Sequence, residues 1–332
     1  MIRQAIIILF LYISFVPVGF ELTSRLVPGM LPKTISRKMS WPVQSIDTMK
    51  YSRDEAAAQL LDPTFDKTID QQIHAIAQTG ATYVAIATPY DPEFVPMLAR
   101  WVATARKYNL HVWFRGNFSG WEGWFSYAAI TRDQHKELLD TFIRNNPDLF
   151  KDGDIFTSCP ECENGGPGDP RQTGDVTGYR QFLISEYQIA TNAFQSIHKK
   201  VSVGYTSMNF DVARLVMDPA TTKALGGIVT IDHYVSSPEI LAMNIRDLAR
   251  ESGGKIFLGE FGVPIPDING DMTETDQASW IKQALTLLSG EPEVIGINYW
   301  VGFGGTTALW NDDGSPRTAV PVITSFFSKR SQ

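Results

Sequence analysis

The chain has 332 residues, 43% of them hydrophobic, and a formal net charge of −7. That is enough apolar material for a large buried core, in one big α/β barrel or in two ordinary domains. The mild acidity and the lack of any Lys/Arg run count against nucleic acid as a partner.

The first element is Met1-Ile2-Arg3-Gln4, then Ala5 to Phe20, almost wholly apolar, then Glu21. A basic start before a short apolar run is the layout of a secretory signal, and the run borders on a short membrane span. No Ala-x-Ala cleavage site follows, since Val16-Pro17-Val18-Gly19-Phe20 is a poor one. Residues 1–30 are therefore expected to be a signal peptide or a retained membrane anchor. In the second case residues 5–20 would associate with the membrane. Either way the protein is expected outside the cell or in its envelope.

After Arg37 short β-branched or aromatic runs alternate with amphipathic stretches. The runs predict strands at Lys38–Ser45, Thr82–Thr88, His111–Arg115 and Asp154–Cys159, then Lys200–Tyr205, Gly227–His233, Lys255–Phe261 and Val294–Trp300. Helices are predicted between them at Phe65–Gln78, Glu93–Tyr108, Arg132–Asn145 and Gly178–His198. Later ones are expected at Asp211–Leu225, Pro238–Glu251, Glu274–Leu288 and Pro316–Phe327. Strands alternating with helices imply parallel pairing through right-handed crossovers. No Gly-x-Gly-x-x-Gly follows the first strand, which disfavours a doubly wound dinucleotide-binding sheet. The expected fold is a (β/α)8 TIM barrel in a single domain over residues 31–332.

In such a barrel, chemistry sits at the C-terminal ends of strands and in the loops after them. The predicted strands deliver Trp41, Gln44 and Asp47, then Tyr90-Asp91, Arg115-Gly116-Asn117 and Cys159-Pro160-Glu161-Cys162-Glu163-Asn164. Tyr205, Asp232-His233-Tyr234, Gly259-Glu260-Phe261-Gly262 and Asn298-Tyr299-Trp300 follow. Glu161 and Glu260 both fall where an apolar strand stops. Two carboxylates facing across a pocket divide the work of glycosidic cleavage: one protonates the leaving oxygen and the other attacks the anomeric carbon. In an extended segment residues 161 and 163 share a face, so spacing leaves Glu161 and Glu163 both open as the acid. Cys159 and Cys162 are the two cysteines of the chain. A lone Cys-x-x-Cys is a weak zinc signal, so a small disulfide loop or two free thiols remain, and no metal is read here.

At these motifs the sequence resembles the clan A glycoside hydrolases, retaining (β/α)8 enzymes of cellulase and mannanase type. Cys159-Pro160-Glu161-Cys162-Glu163-Asn164-Gly165 is similar to their acid/base motif at the fourth strand. Ile256-Phe257-Leu258-Gly259-Glu260-Phe261-Gly262 is similar, more closely, to their nucleophile motif at the seventh. The resemblance extends to Asp232-His233-Tyr234, where the clan often places a Tyr on the nucleophile. It also covers Tyr299-Trp300, where an aromatic floors the −1 sugar site, and the turn Asn311-Asp312-Asp313-Gly314-Ser315-Pro316 before the last helix. It implies Glu161 as acid/base, Glu260 as nucleophile and Arg115 as a partner of the nucleophile. One departure matters: the Asn that usually precedes the acid/base is Pro160 here. The contact that Asn makes to the sugar 2-hydroxyl would then need another donor, such as Asn117 or Asn164.

His233 would bond a sugar hydroxyl or brace a neighbour. Within the glycine-spaced aromatic loop Asn117–Ile130, Trp121 or Trp124 would form a sugar subsite wall or a small satellite core. Trp41, Glu163, Tyr205, Tyr234 and Trp300 complete the expected substrate contacts. No Gly-x-Ser-x-Gly or His-Glu-x-x-His occurs, so serine-hydrolase and zincin chemistry is disfavoured. The expectation is a retaining glycoside hydrolase acting on β-linkages of an extracellular or cell-surface polysaccharide, with no cofactor and no metal. A non-catalytic carbohydrate-binding barrel and a membrane-tethered component of polysaccharide export are the rivals. Oligomeric state is not legible.

Overall fold

A computed structural model of the chain describes residues 41–327. The expected signal or anchor, and the first residues of the expected strand Lys38–Ser45, lie outside that range. The strands are β1 (Val43–Asp47), β2 (Tyr83–Ile86), β3 (His111–Phe114), β4 (Ile155–Phe156), β5 (Ser207–Asn209), β6 (Ile228–Asp232), β7 (Lys255–Phe261) and β8 (Val294–Tyr299). They form one sheet in the order β4-β3-β2-β1-β8-β7-β6-β5, and every pair in it is parallel. The two ends of that order approach each other. Ile155 on β4 forms a parallel bridge to Ser202, ahead of β5, and Phe156 N–H donates to Ser202 O at 2.9 Å. Eight parallel strands curled in this way, with helices between them, are consistent with a (β/α)8 barrel.

The alternation of side chains along each strand separates two apolar layers. One face carries Ile46, Val84, Val112, Phe114, Phe156, Met208, Ile231, Leu258 and Ile297 into the main core against the helices. The other face carries Val43, Ala85, Trp113, Ile155 and Phe257, a second cluster inside the curled sheet. Gly296 belongs there too, because a Cβ on it would overlap the Phe257 ring.

The helices follow from local sequence. Asp66–Gln78 buries Ile69, Ile73 and Ile76 along one stripe. Arg132–Asn145 begins in a capping box between Thr131 and Gln134, and Glu274–Leu288 in another between Thr273 and Asp276. The single helix expected over Asp211–Leu225 is two, Phe210–Val216 and Pro219–Ala224. Pro219 has no N–H to continue a helix, whereas it suits a first turn capped by Asp218. Strand five also lies further along than Lys200–Tyr205. Only Ser202 bridges β4, and regular pairing with β6 starts at Ser207.

Candidate active site

Moving along β1, β3, β6 and β8 toward their C-terminal ends, the inward side chains change from apolar to polar. Val43 is followed at two-residue steps by Ser45 and Asp47, and Trp113 by Arg115. Ile228 is followed by Thr230 and Asp232, and Gly296 by Asn298. The upper end of the interior is therefore an ionic cluster, and Arg115 is its centre. Its guanidinium is fully buried and donates to Asp47 Oδ2 at 2.7 Å, Glu260 Oε1 at 2.8 Å, Asp232 Oδ2 at 3.1 Å and Ser207 Oγ at 3.2 Å. Asn298 Nδ2 adds a bond to Gly259 O at 2.8 Å. Burial pushes the Asp47 and Asp232 carboxyls up from their ordinary range, Asp232 most strongly, against the opposing pull of Arg115.

Glu260 reaches this cluster through an irregularity in β7. Strict alternation from Phe257, which faces inward, would turn Glu260 toward the helices. Instead Ile231 pairs with Leu258 while Asp232 pairs with Glu260, so Gly259 is an extra residue in β7. One inserted residue swaps the faces of everything after it. Glu260 then points inward and Phe261 joins the outer core. Only glycine fits at the bulge, since a Cβ there would collide with Asp232 Oδ1. Both Glu260 oxygens are engaged: Arg115 holds Oε1, and the Tyr234 hydroxyl donates to Oε2 at 2.6 Å. Burial and the adjacent Glu260 raise the Tyr234 phenol well above its ordinary value, so it keeps its proton as a donor.

Opposite stands Glu161. β4 ends at Phe156, and the chain then runs through Cys159 and Pro160 to Glu161, whose backbone is left-handed at φ 43°, ψ 48°. A non-glycine residue there costs roughly 1–2 kcal/mol. Glu161 is bracketed by a disulfide between Cys159 and Cys162, with Cα atoms 5.2 Å apart. Its N–H donates to Ser207 O at 2.8 Å, and its carboxyl group has no hydrogen-bond partner among the described residues. One oxygen each of Glu161, Asp232 and Glu260 lie within 4.8 Å of one another. Burial first, and then Glu260, lifts the Glu161 carboxyl to about 8. The segment is not extended, so residues 161 and 163 part company. Glu163 turns away into a short 3-10 turn, where it accepts from Asn209 N at 2.6 Å and from the Tyr179 hydroxyl at 3.0 Å.

No known sequence family and no curated protein matches the chain. Solved structures do. A fungal β-1,4-galactanase structure superposes over 86% of this chain and 100% of its own, with a TM-score of 0.59 at 10% identity. A GH5_18 variant from Streptomyces cattleya, in complex with Manβ1-4GlcNAc, superposes over 87% of this chain and 80% of its own, with a TM-score of 0.62 at 14% identity. The fold is that of the clan A glycosidases. A Ruminococcus gnavus β-glucuronidase also matches over 80% of this chain (TM-score 0.55, 13% identity), which spans only 47% of the larger protein.

The remaining residues expected at the site lie around this cluster or away from it. Trp300, at the end of β8, is half-buried and meets Tyr234 edge-on, with ring centroids 6.0 Å apart. His233 is stacked on Phe210 at 4.1 Å and bonded to Asn244 at 2.9 Å. Burial holds it near 4, hence neutral. Asn117 is fully buried; its Oδ1 is taken by Phe118 N and His135 and its Nδ2 by Glu122 at 2.5 Å. Asn164 is exposed and accepts from Asn209 at 3.2 Å. Trp124 is half-buried at the rim beneath the Arg53 guanidinium, 4.9 Å from its ring.

Three expected contacts lie away from this group. Trp41 precedes β1 and sits at the opposite end of the sheet, buried in the main core. Tyr205 precedes β5 and packs against Phe257 in the interior layer below the ionic cluster. Trp121 is core, stacked on Phe182 at 5.1 Å with its indole N–H on Cys162 O. Gly165 and Gly166 pack closely on it, since a Cβ on either would overlap Trp121.

Several residues at the site escaped sequence reasoning as contacts. Asp47 and Asp232 were legible as strand ends but not as partners of Arg115. Asn209, at the end of β5, was hidden by the offset of that strand; counting two-residue steps from Tyr205 would have found it. Glu122 sits in the aromatic loop, and burial raises it to about 7. The oxygens of Glu161, Asp232 and Glu260 are hard donors that would suit a divalent cation. Two of the three residues also accept from Arg115.

Proposed function

We propose that this protein is a retaining glycoside hydrolase that cleaves β-glycosidic bonds of an extracellular or cell-surface polysaccharide. The observation that carries the reading is the approach of Glu161 to Glu260, with oxygens within 4.8 Å. Retaining pairs stand about 5–5.5 Å apart, whereas inverting pairs leave a wider gap for water. The environments of the two carboxyls also differ. Glu161, at about 8, keeps a proton near neutrality and has no hydrogen-bond partner competing for it among the described residues. Glu260 is oriented through both oxygens by Arg115 and Tyr234.

In the first step Glu161 protonates the glycosidic oxygen as Glu260 attacks the anomeric carbon, breaking the bond to the leaving group and forming a glycosyl ester. In the second, Glu161, now a carboxylate, takes a proton from water as that water displaces Glu260 with a second inversion. Trp300 and Tyr234 would border the −1 sugar. No sequence feature calls for a cofactor. The location outside the cell rests on the apolar N-terminal segment alone, and substrate capture at the membrane would follow if residues 5–20 stay attached.

A proton donor with this value sets the pH dependence. Glu161 is active protonated, so kcat/KM should fall as pH rises through about 8. Glu161→Gln should remove that alkaline limb and lower turnover of a glycoside with a poor leaving group by about 10²–10⁴-fold. For a dinitrophenyl glycoside, whose leaving group needs no proton, kcat/KM should be nearly spared, while kcat falls because hydrolysis of the glycosyl ester still needs Glu161 as base. Glu163→Gln, made in parallel, should change kcat/KM less than tenfold and keep the limb. If the Glu163 variant loses the limb instead, the acid is misassigned.

At the rim, Trp124→Ala should raise KM for a polysaccharide about 3–10-fold, the worth of one stacking contact. KM for a short aryl glycoside should hardly change. Equal effects on both substrates would remove Trp124 from the subsites.

A further inference from the structure

We infer that the Cys159–Cys162 disulfide is a positioning element of the active site: it clasps the chain around Glu161 so that this carboxyl faces Glu260. The inference rests on the reading of Glu161 as the acid/base. Glu161 lies inside the four-residue loop that the bond closes, in a left-handed conformation that a free chain leaves readily. The loop has little other regular structure to hold it. β4 is only two residues long and stops at Phe156, five residues before Glu161. Pro160 fixes one further torsion, and the ring closure limits what remains.

The clasp is itself seated on both sides. Asn117 Nδ2 points to Cys159 Sγ at 3.5 Å, and the Trp121 indole N–H donates to Cys162 O at 3.2 Å. Both half-cystines are buried, which makes the bond a fixed part of the site. Beyond the bond, the main chain around Glu161 is tied by Glu161 N–H to Ser207 O and by Asn164 N–H to Glu161 O, each 2.8 Å. Opened, the loop can return Glu161 to a right-handed or extended backbone and swing its carboxyl from Glu260 toward the side that Glu163 occupies. The Pro that stands where the clan has Asn then has a purpose of its own, as part of the clasp.

The test compares wild type, Glu161→Gln and the double variant Cys159→Ser/Cys162→Ser on two aryl β-glycosides of the same sugar. One has a dinitrophenyl leaving group and the other an unactivated phenyl. The expected result for the double variant is a loss of at least tenfold in kcat/KM on the phenyl glycoside with the dinitrophenyl glycoside within twofold of wild type. Retained dinitrophenyl cleavage also reports an intact fold and nucleophile. The alkaline limb should move to lower pH, because a carboxyl freed from burial and from Glu260 returns toward its ordinary value. Equal loss on both substrates, or no loss on either, would overturn the inference. If the double variant does not fold, wild type treated with a dithiol reductant takes its place, with thiol titration to confirm opening. Unfolding on reduction would mean a bond for stability alone and would equally overturn it. If Glu161→Gln itself shows no dependence on leaving group, the acid/base reading fails first, and that outcome is separable because it needs no cysteine variant.

Discussion

Replacing Glu260 with Ala should lower kcat on any glycoside the wild type cleaves by on the order of 10⁵-fold, the scale seen when a catalytic nucleophile is deleted. The side chain is buried, with both oxygens bonded to Arg115 and Tyr234. Its loss therefore removes the attacking atom and leaves two donors facing an empty space the size of a carboxylate. Small anions fit such a space. Azide should restore part of the rate and give a glycosyl azide of the opposite anomeric configuration, since one inversion then replaces two. Product configuration is the decisive measurement. An Ala variant within tenfold of wild type, or one whose azide product retains configuration, would refute Glu260 as nucleophile. If the wild type binds a polysaccharide yet cleaves no β-glycoside, the barrel is a binding protein and the enzyme reading goes.

The second large effect is on stability. Arg115→Met should cost about 3–5 kcal/mol, the usual result of removing one partner from a buried ionic group. In a domain of this size that lowers Tm by on the order of 10 °C. One guanidinium here serves Asp47, Asp232 and Glu260 at once, so its removal leaves three carboxylates close together without a counter-charge. Arg115→Lys should rescue little, because one ammonium lacks the planar fork that reaches several acceptors.

The pH dependence has a definite sign. Asp47 and Asp232 are raised above the ordinary Asp value of 3.8 in the folded protein, so the folded state binds protons that the unfolded chain releases. Such groups favour the fold most at low pH, and that contribution is lost as pH climbs above 3.8 toward the folded values. Without Arg115 the folded values rise further. The Tm deficit of Arg115→Met should therefore be smaller at pH 5 than at pH 8. Thermal melts at both values check this, and equal melting of variant and wild type would show that the cluster contributes nothing.

The order of elements, their parallel pairing and the clustering of polar residues at strand ends were all legible in the chain. They rest on local signals: periodicity, caps such as Thr131 and Thr273, and the punctuation of Pro and Gly. Strand-end position singled out Glu161, Glu260, Arg115, Tyr234 and Trp300, while the resemblance to clan A glycoside hydrolases supplied the roles expected of them and the preference for Glu161 over Glu163. Where the local signal was weak, boundaries slipped. Lys200–Tyr205 is as β-rich as a strand, yet it makes a single bridge, and Tyr205 became a floor residue rather than a rim residue.

Other features depend on what lies across the sheet. Glu260 faces the interior only because Gly259 is inserted against β6, and pairing register is a property of two strands, never of one. Glu161 and Glu163 look equivalent at a spacing of two, but a left-handed turn sends one to Glu260 and the other to Tyr179. Trp121 and Trp124 share a loop and a chemistry. A neighbouring Phe182 buries the first, and the second stays half-exposed beneath the Arg53 guanidinium. The sequence by itself determined which residues could act, since side-chain type and strand position are written in it. The tertiary structure decided which of them meet, because a one-residue shift in register or a single reversed torsion moves a carboxyl from one face to the other.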